Sequence, residues 1–240
     1  MPQTQEPLAQ VMSTIADNVS SVSARIQAAA VAAGRDAGEV GLLAVSKTKP
    51  AQAIREVHAA GIADIGENYL QEALAKQAEL TDLPLIWHFI GPIQSNKTKA
   101  IAEHFDWVHS VDRLKIAQRL SEQRPATLAP LNICLQVNIS GEASKAGCTP
   151  EDLPALAAAV AALPNLRLRG LMAIPEPTEA RTEQDAAFAK VQALLQQLGL
   201  SLDTLSMGMS HDLEAAVAHG ATWVRIGTAL FGARDYGPRP

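Results

Sequence analysis

The residues best placed to do chemistry in this chain are a lysine and an arginine set among apolar neighbours. Lys47 follows Leu42-Leu43-Ala44-Val45-Ser46 directly, at or just past the end of an almost wholly apolar strand of the kind that is buried on both faces. A lysine there faces desolvation, which lowers its pKa and supplies the neutral amine that Schiff-base chemistry needs. The competing reading is a solvated loop lysine, like Lys49 two residues on. Arg225 lies inside Val224-Arg225-Ile226-Gly227, where an unpaired guanidinium would be expensive, so it requires either a structural partner such as Glu67 or a ligand atom. Gly227 and Thr228 offer backbone N–H groups and a hydroxyl as a helix begins. Ser210 precedes the helical pattern Leu213, Ala216, Val217 and is expected to be its N-cap; paired with Gly227-Thr228 it becomes a phosphate cradle. His88, in Leu85-Ile86-Trp87-His88-Phe89, reads first as a core histidine, and Asn68 and Asn138 as loop caps.

Other chemistries find little support. The six histidines lack H-E-x-x-H or facial-triad spacing, and the two cysteines, Cys134 and Cys148, form no C-x-x-C, so no metal site and no disulfide framework is expected. Reduced thiols in a cytoplasmic protein are the expectation. There is no G-x-x-x-x-G-K-[ST], no G-x-G-x-x-G and no G-x-S-x-G, which argues against nucleotide hydrolysis, dinucleotide binding and serine-hydrolase chemistry. A net charge of −5 with 4% aromatic residues and no basic block argues against a nucleic-acid surface. No run approaches the ~20 apolar residues of a membrane span, and the first ten residues lack the marks of a secretory signal.

A small-molecule site needs a frame, and the chain order supplies one. Leu8, Val11, Met12, Ile15, Val19, Val22 and Ile26 mark one face of a long opening helix, with Gly34 a plausible stop. After it, apolar runs alternate with helical patterns: 40–45, 63–65, 85–90, 107–111, 131–139, 168–174, 204–206 and 223–226. Thr149-Pro150-Glu151-Asp152 is read as a helix start, and Ala187, Val191, Leu194, Leu195 and Leu198 as a helix face. Strand–helix alternation implies parallel strands with right-handed crossovers. Eight strands in 240 residues fit a single-domain α/β protein, a closed (β/α)8 TIM barrel, with residues 1–35 as an N-terminal helical extension and 232–240 as a tail. An open doubly wound sheet is the alternative, and the weak second and seventh strands are where the count could fail. In a barrel the chemistry gathers at the C-terminal strand ends, where Lys47, Asn68, Ser210, Gly227 and Thr228 fall.

A Schiff-base lysine after the first strand and a phosphate cradle after the last two is the layout of a pyridoxal 5′-phosphate (PLP) site. The chain resembles the YggS/PROSC family of PLP homeostasis proteins, which share the barrel of the alanine racemase N-terminal domain. The resemblance runs through LLAVSKTKP (42–50), IGENYLQEALAK (65–76), WHFIGPIQSNK (87–97), HSVDRLKIAQRL (109–120), LQVNISGEASKAG (135–147), RGLMAIP (169–175) and LSMGMSHDLEAAVAHGATWVRIGTALFGARDY (205–236). It implies that Lys47 carries PLP as an internal aldimine, that Ser210, Gly227 and Thr228 hold the phosphate, that Arg225 faces the pyridine nitrogen, and that Asn68 and His88 lie beside the ring. His211 departs from the family, which often has Asp after the phosphate-binding Ser.

The implied arginine has a chemical consequence. PLP is a strong electron sink when its ring nitrogen is protonated, usually by a carboxylic partner; a guanidinium only donates, which favours a neutral nitrogen and a weaker sink. Family racemases add a C-terminal domain whose tyrosine acts as second base, and the barrel is expected to take up this whole chain. The expectation is a cytoplasmic, PLP-binding protein of vitamin B6 homeostasis with little or no turnover and no catalytic residues. It is expected to be monomeric rather than dimeric and to have PLP-dependent apo-enzymes as recipients. The alternatives are a PLP-dependent racemase or lyase of limited scope, and a class I aldolase using Lys47.

Overall fold

The computed structural model describes residues 13–142 and 145–233; Leu8, Val11, Met12 and most of the tail lie outside them. The first helix, α1 (Ile15–Ala32), starts at a capping box, in which the Thr14 hydroxyl accepts the Asp17 N–H and the Asp17 carboxylate accepts the Thr14 N–H. It ends before Gly34, whose φ of +68° is the left-handed turn that glycine adopts without strain. Val19, Val22, Ile26, Ala29 and Ala30 form its buried face.

The strands β1 (Gly41–Val45), β2 (Asp64–Glu67), β3 (Ile86–Phe89), β4 (Trp107–Val111), β5 (Leu131–Gln136), β6 (Leu166–Met172), β7 (Thr204–Ser206) and β8 (Trp223–Ile226) pair in chain order as a closed parallel barrel. Closure runs through β1 and β8, with Leu43 opposite Arg225. The ring of helices is α2 (Ala51–Ala59), α3 (Leu70–Glu79), α4 (Thr98–His104), α5 (Leu114–Gln123), α6 (Leu153–Ala161), α7 (Arg181–Gln197), α8 (Leu213–Ala218) and the single turn α9 (Thr228–Phe231). The expected closed barrel is the observed one, and both weak strands belong to it.

β1, β2 and β3 differ from the expected 40–45, 63–65 and 85–90 by one or two residues, and β5, β6 and the start of α6 also depart from the sequence reading. β5 stops at Gln136, and Val137-Asn138 instead pair with Cys148, whose C=O accepts the Asn138 N–H at 2.8 Å. β6 begins at Leu166 and ends at Met172. The predicted helix start at Thr149 is a separate turn, closed by the Asp152 N–H donating to the Thr149 hydroxyl at 3.1 Å, and α6 follows with Pro154 in its first turn.

The main core lies between barrel and helices, where Phe105, Phe188, Ile54, Ile101, Leu120 and Leu153 are fully buried. Inside the barrel the filling is aromatic and polar. Trp107 and His109 of β4 and Trp223 of β8 gather around the His88 ring, and Cys134 and Met172 pack with Trp107. α1 and the turn after it are strapped across the C-terminal third: Asn18 donates to the Leu230 C=O, Arg35 to the Val217 C=O, and Arg25 to both Glu214 and the Ser210 C=O at 2.7 Å. The extra helix therefore fixes the loop that carries Ser210.

The short β7 depends on a close approach from β6. A Cβ on Gly170 would sit 1.7 Å from the Thr204 carbonyl oxygen, so only glycine lets the two strands pair here. Gly170→Ala is expected to destabilise the protein by about 2–3 kcal/mol through forced separation of β6 and β7, read from the urea midpoint.

Candidate functional site

The mouth of the barrel at the C-terminal strand ends holds an open cleft. Val45, Lys47, Asn68, Ile90, Ile174, Met209, Ser210, Arg225, Gly227 and Thr228 line it. A neighbouring cleft, which shares Ile174, Met209 and Arg225 and includes Lys145, Gln136 and His211, continues the opening over β5 and β6. Six of the seven predicted site residues thus meet in one cavity, although their sequence positions span 47 to 228.

Lys47 is held by the backbone on either side of it. The Ser46 N–H donates to the Gly66 C=O at 3.0 Å, and the Ser46 C=O accepts from Lys76 Nζ at 2.7 Å. On the other side, the Thr48 N–H donates to a Glu72 carboxylate oxygen at 2.5 Å, with Thr48 itself in the left-handed region at φ +67°. A non-glycine residue there costs energy that the surrounding contacts must hold in place.

Lys76 carries that clamp. Its ammonium is almost fully buried and reaches Glu67 at 2.7 Å and Glu72 at 2.8 Å besides the Ser46 C=O, so all three of its donors are taken. Glu67 is wholly buried; one oxygen accepts from Lys76 and from the Ser46 hydroxyl, while Oε2 has no partner among the described residues. Burial pushes the Glu67 pKa up, more than Lys76 and Ser46 pull it down. Lys76 escapes a reading by sequence because Glu72 and Lys76 at i, i+4 look like an ordinary surface pair.

Glu67 is therefore not the partner of Arg225. The guanidinium, 5% exposed, donates from Nη1 to the Ser206 hydroxyl at 2.8 Å and from Nη2 to the Ala173 C=O at 3.1 Å. Burial lowers its pKa to about 10, against the pull of Asp212, which leaves it a cation at neutral pH. It retains further N–H groups at the cavity wall.

Ser210 is not an N-cap. The Met209 N–H donates to Asp212 Oδ1 at 2.7 Å, closing a turn ahead of the helix, so α8 begins at Leu213 behind Asp212. The Ser210 hydroxyl is thereby left at the cavity rather than spent on the helix end. Gly227 precedes α9 as expected, and the first N–H groups of that turn have no acceptor within it. Asn68 presents a buried Oδ1 that has no partner among the described residues. An orphaned buried amide oxygen on a cavity wall is a group that a ligand or water would satisfy.

His88 is not at the cavity. Its ring lies inside the barrel, stacked on Trp107 and bonded to Asp64 and His109, each at 2.8 Å, so the core reading of this histidine describes its surroundings. Among the described residues no group of three His, Cys, Asp or Glu could hold a metal ion, and no helix is long and apolar enough to cross a membrane.

An amine, a buried donor and a set of hydroxyl and N–H groups at the C-terminal mouth of a closed parallel barrel define the class of the alanine racemase N-terminal domain, whose family model matches residues 15–235. Over 226 residues, 94% of this chain and 98% of the relative, the chain is 78% identical to a pyridoxal phosphate homeostasis protein of Pseudomonas aeruginosa. It is 54% identical over 235 residues to the protein of the same name from Escherichia coli, covering 94% of this chain and 99% of that one. The chain belongs to the family of pyridoxal phosphate homeostasis proteins. A solved structure of PipY from Synechococcus elongatus with PLP bound superposes with a TM-score of 0.81 at 43% identity, over 91% of this chain and all of that one.

The clamp beneath Lys47 has a pH signature. Because burial raises the Glu67 pKa above its unfolded value, the stability linked to this proton is full below the unfolded pKa and lost as pH rises through the folded one. Glu67→Gln removes that loss, so the stability of the variant relative to the parent should rise as pH increases above the ordinary carboxylate range, measured by urea unfolding at stepped pH.

Proposed function

We propose that this protein binds PLP covalently through Lys47 and serves intracellular vitamin B6 homeostasis as a carrier or buffer with little or no turnover, handing the cofactor to PLP-dependent apo-enzymes. The single observation that carries the reading is that Lys47, Arg225, Ser210, Gly227 and Thr228 line one cavity. That the PipY relative is described with PLP bound supports it.

The residues fit the group. PLP brings an aldehyde, a ring nitrogen and a phosphate; the cavity offers a lysine amine, a buried donor-only cation, and two hydroxyls with backbone N–H groups beside them. Lys47 would hold PLP by condensation of its amine with the aldehyde, the carbonyl oxygen being lost as water with the two amine protons. The clamped peptides on each side of Lys47 hold its backbone still while this happens.

When bound, PLP supplies an electron sink whose strength follows the protonation of its ring nitrogen. Arg225 facing that nitrogen donates without giving up its proton, which keeps the sink weak and suits storage better than turnover. The class I aldolase alternative loses ground for a different reason. The lysines near the site that could serve such an enzyme are engaged elsewhere: Lys76 with Glu67, Glu72 and the Ser46 C=O, and Lys145 with Glu142 and Glu176. A reducing, cytoplasmic setting suits Cys134 and Cys148, which are buried free thiols with pKa values pushed by burial to about 12 and about 11.

Borohydride reduction of the PLP-loaded protein followed by peptide mass mapping is expected to place a pyridoxyl group on Lys47, and a label elsewhere with Lys47 unmodified would contradict the reading. In the same preparation, α-proton exchange with a panel of amino acids is expected to stay at the rate of free PLP; rapid exchange would make the protein an enzyme.

A further inference from the structure

Beneath the cavity, four side chains link Arg225 to the opposite end of the barrel. Arg225 Nη1 lies 2.8 Å from Ser206 Oγ, and Ser206 Oγ lies 2.7 Å from His109 Nδ1. His109 Nε2 lies 2.8 Å from His88 Nδ1, and His88 Nε2 lies 2.8 Å from Asp64 Oδ1. Ser206, His109 and His88 come from β7, β4 and β3 and are 1%, 0% and 0% exposed, while the Asp64 side chain, at the first residue of β2, is 22% exposed.

The chemistry of the two ends favours one placement of the protons between them. A guanidinium only donates, so the Ser206 oxygen accepts from Arg225, and among the described residues His109 Nδ1 is the acceptor in reach of the Ser206 hydroxyl hydrogen. His109 is then bare at Nδ1, carries its proton on Nε2, and donates to His88 Nδ1. His88 is in turn bare at Nδ1 and donates from Nε2 to the Asp64 carboxylate, which only accepts.

Both rings are neutral in this arrangement. Protonating His109 would put a second cation next to Arg225 and cost Ser206 its acceptor. Protonating His88 would set two N–H groups face to face unless His109 reversed its own tautomer. The charged groups that act on these rings are Asp64 and Asp106 on His88 and Arg225 on His109, with burial as the largest influence on both. Each acceptor lone pair in the chain points back toward the guanidinium, so the aligned dipoles favour its charge and hold its plane.

We infer that Ser206, His109, His88 and Asp64 form a one-directional hydrogen-bond chain that holds Arg225 as a fixed donor toward the cavity. They are positioning residues for whatever acceptor occupies the cavity. The direction of the chain rests on these distances and on the donor and acceptor chemistry of its two ends; that the acceptor is the ring nitrogen of PLP rests on the proposed function.

Histidine-selective 15N NMR of the unloaded protein reads the chain directly, with His88→Gln and His109→Asn used for assignment. The expected result is protonated Nε2 and bare Nδ1 in both rings, unchanged across about pH 5.5–8.5; an Nδ1–H tautomer or an imidazolium in either ring overturns it. The positioning role is read from PLP-loaded variants that retain native circular dichroism. His109→Leu and Ser206→Ala should weaken PLP binding about tenfold or more and shift the pH dependence of the bound cofactor's absorption. His109→Asn, which keeps an acceptor near Nδ1, should recover most of both. Parent-like affinity and spectra in folded His109→Leu and Ser206→Ala proteins would overturn the positioning role. Failure of the PLP reading would show separately, as an unlabelled Lys47 in the parent protein.

Discussion

A guanidinium placed inside a barrel is the constraint on which the rest of this structure depends. Arg225 cannot shed its proton at neutral pH and cannot accept a hydrogen bond, so its burial demands acceptors at fixed places. They come from the Ser206 hydroxyl of β7 and the Ala173 carbonyl just beyond β6, which requires β6, β7 and β8 to be in register around it. The glycine at 170, which lets β6 approach β7, belongs to that requirement. Closure of β8 onto β1 then sets Leu43 opposite Arg225 and carries Lys47 and Gly227 out to the same rim.

The barrel buries two cations near one cavity and stabilises them in different ways. Lys76 is neutralised locally by Glu67 and Glu72, and its third donor holds the peptide before Lys47. Among the described residues Arg225 has no carboxylate in hydrogen-bond contact; its hydrogen-bond partners are neutral, and the chain that begins with Ser206 reaches a carboxylate only at Asp64. The difference suits their places. Lys76 is locked beneath the site with no donor to spare, whereas Arg225 stays a donor toward the cavity with its charge uncancelled by a contact ion pair. A donor of that kind can face a neutral ring nitrogen without protonating it, which connects barrel packing to the expected absence of turnover.

Much of this was legible in the sequence because parallel strands buried on both faces write themselves as short apolar runs, and because barrel chemistry collects just after them. The strands at 107–111, 204–206 and 223–226 match the predicted limits residue for residue. Residues that line the cavity, such as Lys47, Ser210 and Gly227, were found by position relative to a strand end. Contacts between distant strands were not legible. Nothing local says that Arg225 meets Ser206 rather than Glu67, since both lie at strand ends and only register and inward alternation choose between them. Likewise the turn closed by Asp212 makes Ser210 a cavity residue instead of a helix cap, through a hydrogen bond from the Met209 N–H to the Asp212 carboxylate that composition does not encode.

His88 illustrates the same limit from the other side. The family resemblance implied a place beside the ring, but alternation along β3 turns it inward among Trp107, Trp223 and His109, as the core reading of its sequence had it. The central claim of the account concerns Lys47, and an absorption titration with PLP tests it most directly. The parent protein is predicted to develop the band of a protonated imine that saturates at about one equivalent of PLP per chain, while Lys47→Ala gives only the spectrum of the free aldehyde. The same saturable band in folded Lys47→Ala would contradict the account.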